Sequence, residues 1–99
     1  MKDEKDRNLI LRTKRFALDI LSFYSSLPKQ VEAQILGKQL LRSGTSVGAQ
    51  YREAQRAKST ADLISKVQGS LQELDETAYW LELLEESGLT KHEKARHDD

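Results

Sequence analysis

The stretch that decides the fold is Gln39-Leu40-Leu41-Arg42-Ser43-Gly44-Thr45-Ser46-Val47-Gly48-Ala49-Gln50-Tyr51-Arg52-Glu53-Ala54. From Leu36 onward, Leu40, Gly44, Val47, Tyr51 and Ala54 recur at steps of four and three, which is one face of an α-helix. Ser43-Gly44-Thr45-Ser46 is the weak point. Gly44 and Gly48 each cost up to about 1 kcal/mol relative to alanine inside a helix, and the Ser46 hydroxyl is suited to capping a restarted helix. The stretch predicts one long helix over 30–58, kinked or loosened at these small residues, which also let another backbone approach closely.

Working outward, Leu9, Thr13, Phe16, Ile20, Phe23 or Tyr24, and Leu27 keep the same period and predict a helix over 6–25. It ends at Ser25-Ser26-Leu27-Pro28, because proline cannot continue the hydrogen-bond ladder and pushes its predecessor toward extended geometry. Downstream, Ser59 is an N-cap candidate, and Asp62 sits near the positive end of the helix dipole. Leu63, Val67, Leu71, Leu74, Ala78, Leu81 and Leu84 or Glu85 then predict a helix over 60–87, with its core stripe on those positions and Gly88 as the stop. Thr90 and Glu93 form a capping-box pattern, but residues 90–99 supply little apolar surface and are expected as a polar tail or aborted fourth helix. The expected fold is all-α: a single antiparallel up-down helical bundle over 1–99, with three long helices plus a short or truncated fourth.

The 99 residues set a ceiling of one domain, and 37% apolar residues allow a compact but thin core. Sixteen basic and sixteen acidic residues cancel, yet the halves differ. Residues 1–60 carry twelve Lys+Arg against six Asp+Glu, whereas residues 61–99 carry four against ten. Cysteine is absent, which excludes disulfides, a thiol nucleophile and Cys-type zinc sites. The charged N-terminus leads into no apolar h-region, and no run approaches 18 apolar residues. A soluble cytoplasmic protein without membrane contact is expected.

Catalytic chemistry finds no support in the residues. His92 and His97 are five apart, so they do not share a helical face, and no carboxylate pair completes a metal site. Gly37, Gly44 and Gly48 lie in a helical pattern rather than in a phosphate loop after a strand. Ser43, Thr45 and Ser46 have no histidine nearby in sequence to activate them. The expectation is a non-enzyme with no catalytic residue, no metal and no cofactor.

Secondary stripes carry more information. Arg42, Ser46, Ala49, Glu53 and Arg56 form one on the second helix, either a solvated face or a polar interface to a subunit or partner. Lys66, Gly69 or Ser70, Glu73, Thr77, Trp80 and Leu84 form another on the third, either a broadening of the core or a packed interface anchored by Trp80. A carboxylate at Glu73 is costly to bury alone and should find a partner among Lys66, Arg42 and Arg56. Lys14, Arg15, Lys38, Arg42, Arg52, Arg56 and Lys58 are the candidate phosphate contacts. Ser46, Gln50, Glu53, Glu73, Glu76, Thr77 and Trp80 are the candidates for an interface or polar network.

The stretch Gln39–Ala54, with Ser59, Asp62 and Leu63 and then Leu71-Gln72-Glu73-Leu74-Asp75-Glu76-Thr77-Ala78-Tyr79-Trp80-Leu81, resembles the bacterial four-helix-bundle 23S ribosomal RNA intervening-sequence protein family. The pairing of Arg-Ser-x-x-Ser-Val with Glu-x-x-Glu-Thr-x-Tyr-Trp-Leu carries the resemblance, which covers Phe16 to Leu89. Glu53, Glu73 and Glu76 match the family pattern, whereas Gln50 stands where the family usually has asparagine. The resemblance implies an up-down bundle that assembles into a ring, typically a pentamer, with the fourth helix following the glycine-leucine matched by Gly88-Leu89. It also implies RNA or a nucleic-acid enzyme as a partner. Two functions follow as expectations. One is a homo-oligomeric RNA or ribonucleoprotein accessory factor. The other is a structural or protein-binding scaffold whose basic and acidic halves pair across subunits.

Overall fold

The computed structural model describes residues 4–90, so the expected fourth helix and both histidines lie outside the described residues. Three helices follow in order: α1 (Glu4–Ser25), α2 (Val31–Ala54) and α3 (Thr60–Glu86). They form an all-α rod of 56 × 22 × 17 Å in which α2 is central. The backbones of α1 and α3 each approach α2 and not one another, while side chains of all three helices share one core.

Local chemistry sets the helix ends. After α1, Ser26 N donates to Phe23 O at 3.0 Å and Leu27 N to Tyr24 O at 3.1 Å, a tightened last turn before Pro28. Tyr24 Oη donates to Gln34 Oε1, and Gln34 Nε2 donates to Pro28 O at 2.9 Å, tying the α1–α2 turn shut. At the head of α3, Asp62 N donates to Ser59 Oγ at 3.1 Å while Lys58 N donates to Asp62 Oδ2 at 3.1 Å, a reciprocal cap. Past its end, Gly88 takes a φ of +82°, where a side chain is strained.

Three expectations change. First, α2 stops at Ala54 rather than 58, because Gln55, Arg56 and Ala57 bond three residues back instead of four and tighten the chain out of the helix. Second, α2 is the one long helix expected through 43–46, and what changes is the capping role of Ser46. Ser46 Oγ donates to Arg42 O at 2.7 Å and caps nothing, and Thr45 Oγ1 also bonds back to Leu41 O. The small residues do admit another helix, namely α1. A Cβ on Gly44 would lie 2.9 Å from Ile20 Cγ1 and Cγ2, and one on Gly48 2.9 Å from Thr13 Oγ1.

Third, α3 is turned relative to the expected stripe. The residues it buries are Ser70, Thr77 and Leu84, whereas Leu63, Leu71, Leu74 and Ala78 are exposed. The reason lies in α2, which presents Ser43, Val47 and the Gln50 amide to α3 and so selects its small and polar face. The apolar core is concentrated toward one end: Ile20, Leu27, Leu40 and Leu84, with Phe16, Phe23, Leu36, Trp80 and Leu89 among the residues packed around them. Full burial of a leucine contributes about 2 kcal/mol, and Leu40 and Leu84 are both fully buried. Elsewhere α1 and α3 diverge over an apolar groove of about 250 Å³, lined by Leu9, Phe16, Val47 and Leu74 among others.

Candidate functional site

The seam between α2 and α3 holds most of the polar residues singled out in the sequence. Arg42 forks between two carboxylates, with Nη2 2.6 Å from Glu76 Oε1 and Nη1 3.2 Å from Glu73 Oε1. Gln50 Nε2 donates to the other Glu73 oxygen at 3.3 Å, so this largely buried carboxylate has two donors. The hydrogen bond from Arg42 to Glu76 is the largest cause that raises the guanidinium pKa above its ordinary value; desolvation opposes it, and the charge and hydrogen bond of Glu73 add to the rise. One turn beyond Gln50, Glu53 Oε1 accepts from Lys66 Nζ at 3.1 Å, and that hydrogen bond likewise raises the lysine pKa.

Beneath these pairs lies a buried hydroxyl layer. Thr77 Oγ1 is 2.9 Å from Ser43 Oγ and 2.8 Å from Glu73 O, and Ser43 Oγ is 3.2 Å from Leu40 O. Thr77 has one proton, so either it donates to Ser43 and Ser43 donates to Leu40 O, or Ser43 donates to Thr77 and Thr77 donates to Glu73 O. Both arrangements satisfy both hydroxyls. Ser70 Oγ donates across the seam to Val47 O at 2.8 Å. Neither Ser43 nor Ser70 stood among the site candidates. Ser43 shares the i, i+3, i+7 line of Leu40 and Val47, which is the signal that could have placed it in the core.

The structure therefore brings Gln50, Glu53, Glu73, Glu76 and Thr77 into contacts within one chain. Ser46 bonds only to its own helix. Trp80 packs against the apolar cluster edge-on to Tyr79, centroids 5.1 Å apart, and its buried Nε1 has no hydrogen-bond partner among the described residues. Its ring is therefore partly buried within the chain.

The basic candidates separate. Arg42 is held by Glu73 and Glu76. Lys14 and Arg52 share the rim of a cleft of about 240 Å³ on the α1–α2 seam, floored by Ala17, Thr45, Gly48 and Ala49. Lys38 lies seven residues before Thr45 and Arg52 seven after it, so the three fall on one line of α2. Arg15 is exposed on α1 but does not line the cleft, and Arg56 and Lys58 are exposed in the α2–α3 connection. Among the described residues, none of Lys14, Lys38 and Arg52 has an ion pair. No cluster of three metal-ligating side chains occurs among them, and no described helix is long and apolar enough to cross a membrane.

The family model for the 23S rRNA-intervening sequence protein matches residues 5–97. The chain belongs to that family. A solved structure agrees in architecture: a protein of unknown function from the S23 ribosomal protein family of Bacteroides thetaiotaomicron VPI-5482. It is 43% identical, with a TM-score of 0.78, over 84% of this chain and 74% of that one. Comparison with curated proteins gave no match.

Proposed function

We propose that this family member is a non-enzymatic, homo-oligomeric helical-bundle protein that acts as an accessory factor to RNA or to a ribonucleoprotein in the cytoplasm. The carrying observation is the cationic cleft on the α1–α2 seam, with small residues on its floor and, on its rim, Lys14 and Arg52, which have no ion pair among the described residues. Small floor residues let a phosphate oxygen approach the helices while two flexible cations close over it. Acidic residues are most numerous on α3, where Glu73 and Glu76 are already engaged by Arg42. The family description, which refers to 23S rRNA, points the same way.

Titration with a structured RNA at several salt concentrations tests the reading. Affinity should fall as salt rises, and Lys14→Gln/Arg52→Gln should lower the log–log salt slope by about 2. Undetectable binding at low salt, or binding indifferent to salt, would reject it. A scaffold without RNA contact is the second reading, favoured by the exposed apolar faces of α1 and α3. It predicts assembly that persists while RNA binding is absent.

A further inference from the structure

The most exposed leucines of α1 and the most exposed aliphatic residues of α3 lie on two faces that never meet within a chain. On α1, Thr13, Ile20 and Tyr24 mark the line that meets the α2 glycines. At 100° per residue, Leu11 and Leu18 lie roughly 150° from that line, and they are 64% and 52% exposed. On α3, Ser70 and Thr77 mark the line toward α2. Ile64 and Leu71 lie roughly 120° from it, and they are 50% and 56% exposed.

The rims of the two faces have opposite charge. Arg7 and Arg15 stand one turn before and after Leu11, and Arg15 is also three residues from Leu18. Asp75 stands one turn after Leu71, and Glu82 a further seven residues along the same side. The bias extends over whole helices: α3 has seven acidic residues against Lys66 alone, whereas α1 has five basic against three acidic.

We propose that these faces are the two halves of one contact, with the α1 leucine face of one copy docking on the α3 face of the next copy of this chain. This rests on the homo-oligomeric part of the function proposed above and assigns the surfaces that carry it. Like faces do not suit each other. An α1–α1 contact sets arginines against arginines, and an α3–α3 contact sets carboxylates against carboxylates. The α1–α3 contact joins apolar to apolar and cation to anion. Because its two sides differ, each copy offers one face and accepts with the other. The assembly is therefore a ring or an open chain, not a two-fold pair.

Complementation by mixing decides the matter. Leu11→Gln/Leu18→Gln spoils only the α1 face, and Ile64→Gln/Leu71→Gln only the α3 face. All four positions are exposed within the chain, so helical content should match the parent by circular dichroism. Sedimentation should show the parent as a multimer, each double variant alone as a monomer of 11.3 kDa, and their equimolar mixture as a species of twice that mass. Variants that assemble like the parent would overturn the assignment, as would a mixture that remains monomeric. A parent that is itself monomeric would instead overturn the homo-oligomeric reading on which the assignment rests.

The absence of native cysteine allows an independent readout. Leu18→Cys and Leu71→Cys, mixed and treated with a thiol-specific crosslinker, should give a crosslinked dimer that neither gives alone. Crosslinking of either variant to itself would overturn the proposal.

Discussion

Leu71 and Leu84 distinguish the observed orientation of α3 from the one its leucine spacing suggests. Both belong to the apolar pattern of one helix, yet Leu84 is 0% exposed against Ile20, Leu27 and Leu40, whereas Leu71 is 56% exposed. Leu84→Ala removes buried methyl groups and leaves a cavity in the centre of the core, which costs about 3 kcal/mol. Against a total of about 5–15 kcal/mol for a small domain, that is a large share. Leu71→Ala removes side-chain surface already in water and should cost under about 0.5 kcal/mol in the isolated chain. Urea unfolding followed by Trp80 fluorescence measures both, since Trp80 is the sole tryptophan and borders the affected core. The titration should be repeated at about a hundredfold higher protein concentration, where mass action adds the energy of assembly. The Leu71→Ala penalty should then grow while the Leu84→Ala penalty persists at both concentrations. Equal penalties in dilute solution would refute the orientation of α3 and return Leu63, Leu71 and Leu74 to the core.

Other perturbations test individual joints. Ser59→Ala removes the oxygen that accepts from Asp62 N and should lower stability by about 1 kcal/mol in thermal unfolding; no change would mean that the reciprocal Asp62 contact alone caps α3. Gly44→Ala gains up to about 1 kcal/mol of helix propensity but forces a Cβ to within 2.9 Å of the stiff Ile20 side chain. Overpacking of about 1–3 kcal/mol should dominate and destabilise the protein, and a clear stabilisation would contradict the close α1–α2 approach. Lys66→Gln probes the pair with Glu53. Its raised lysine pKa means that the stabilising contribution is complete below the ordinary lysine value and is lost as pH rises through the raised one. The parent-minus-variant difference should be flat from about pH 6 to 9 and shrink only in alkali. A step near neutrality would assign the effect to another group.

Much of the fold is legible in the sequence because helix signals are local. Pro28, Ser59 and Gly88 each act within a turn of where they stand, and the α1 and α2 stripes persist because each helix has one face rich in large apolar or small residues. The rotation of α3 is not legible from its own sequence, since its leucine stripe is the more apolar and its serine–threonine stripe the one buried. The choice is made by Ser43, Val47 and Gln50 on α2, thirty or so positions away for the Ser43–Thr77 pair. Glu73's need for a donor is legible from burial cost alone, and Arg42 and Gln50 supply the donors. Arg42 illustrates the opposite limit. As a cation in a basic half it reads as a phosphate contact as well as one of three candidate partners for Glu73, and only the packing of a different helix, with Glu73 and Glu76 both in reach, selects the pairing.

The most direct test of an RNA-associated homo-oligomer is the native mass of the protein by sedimentation, followed at protein and nucleic-acid wavelengths, first at low salt and then at high salt. The predicted result is a particle several times 11.3 kDa that carries nucleic-acid absorbance at low salt and sheds it at high salt. A single species of 11.3 kDa, free of nucleic acid at every salt concentration, would contradict it.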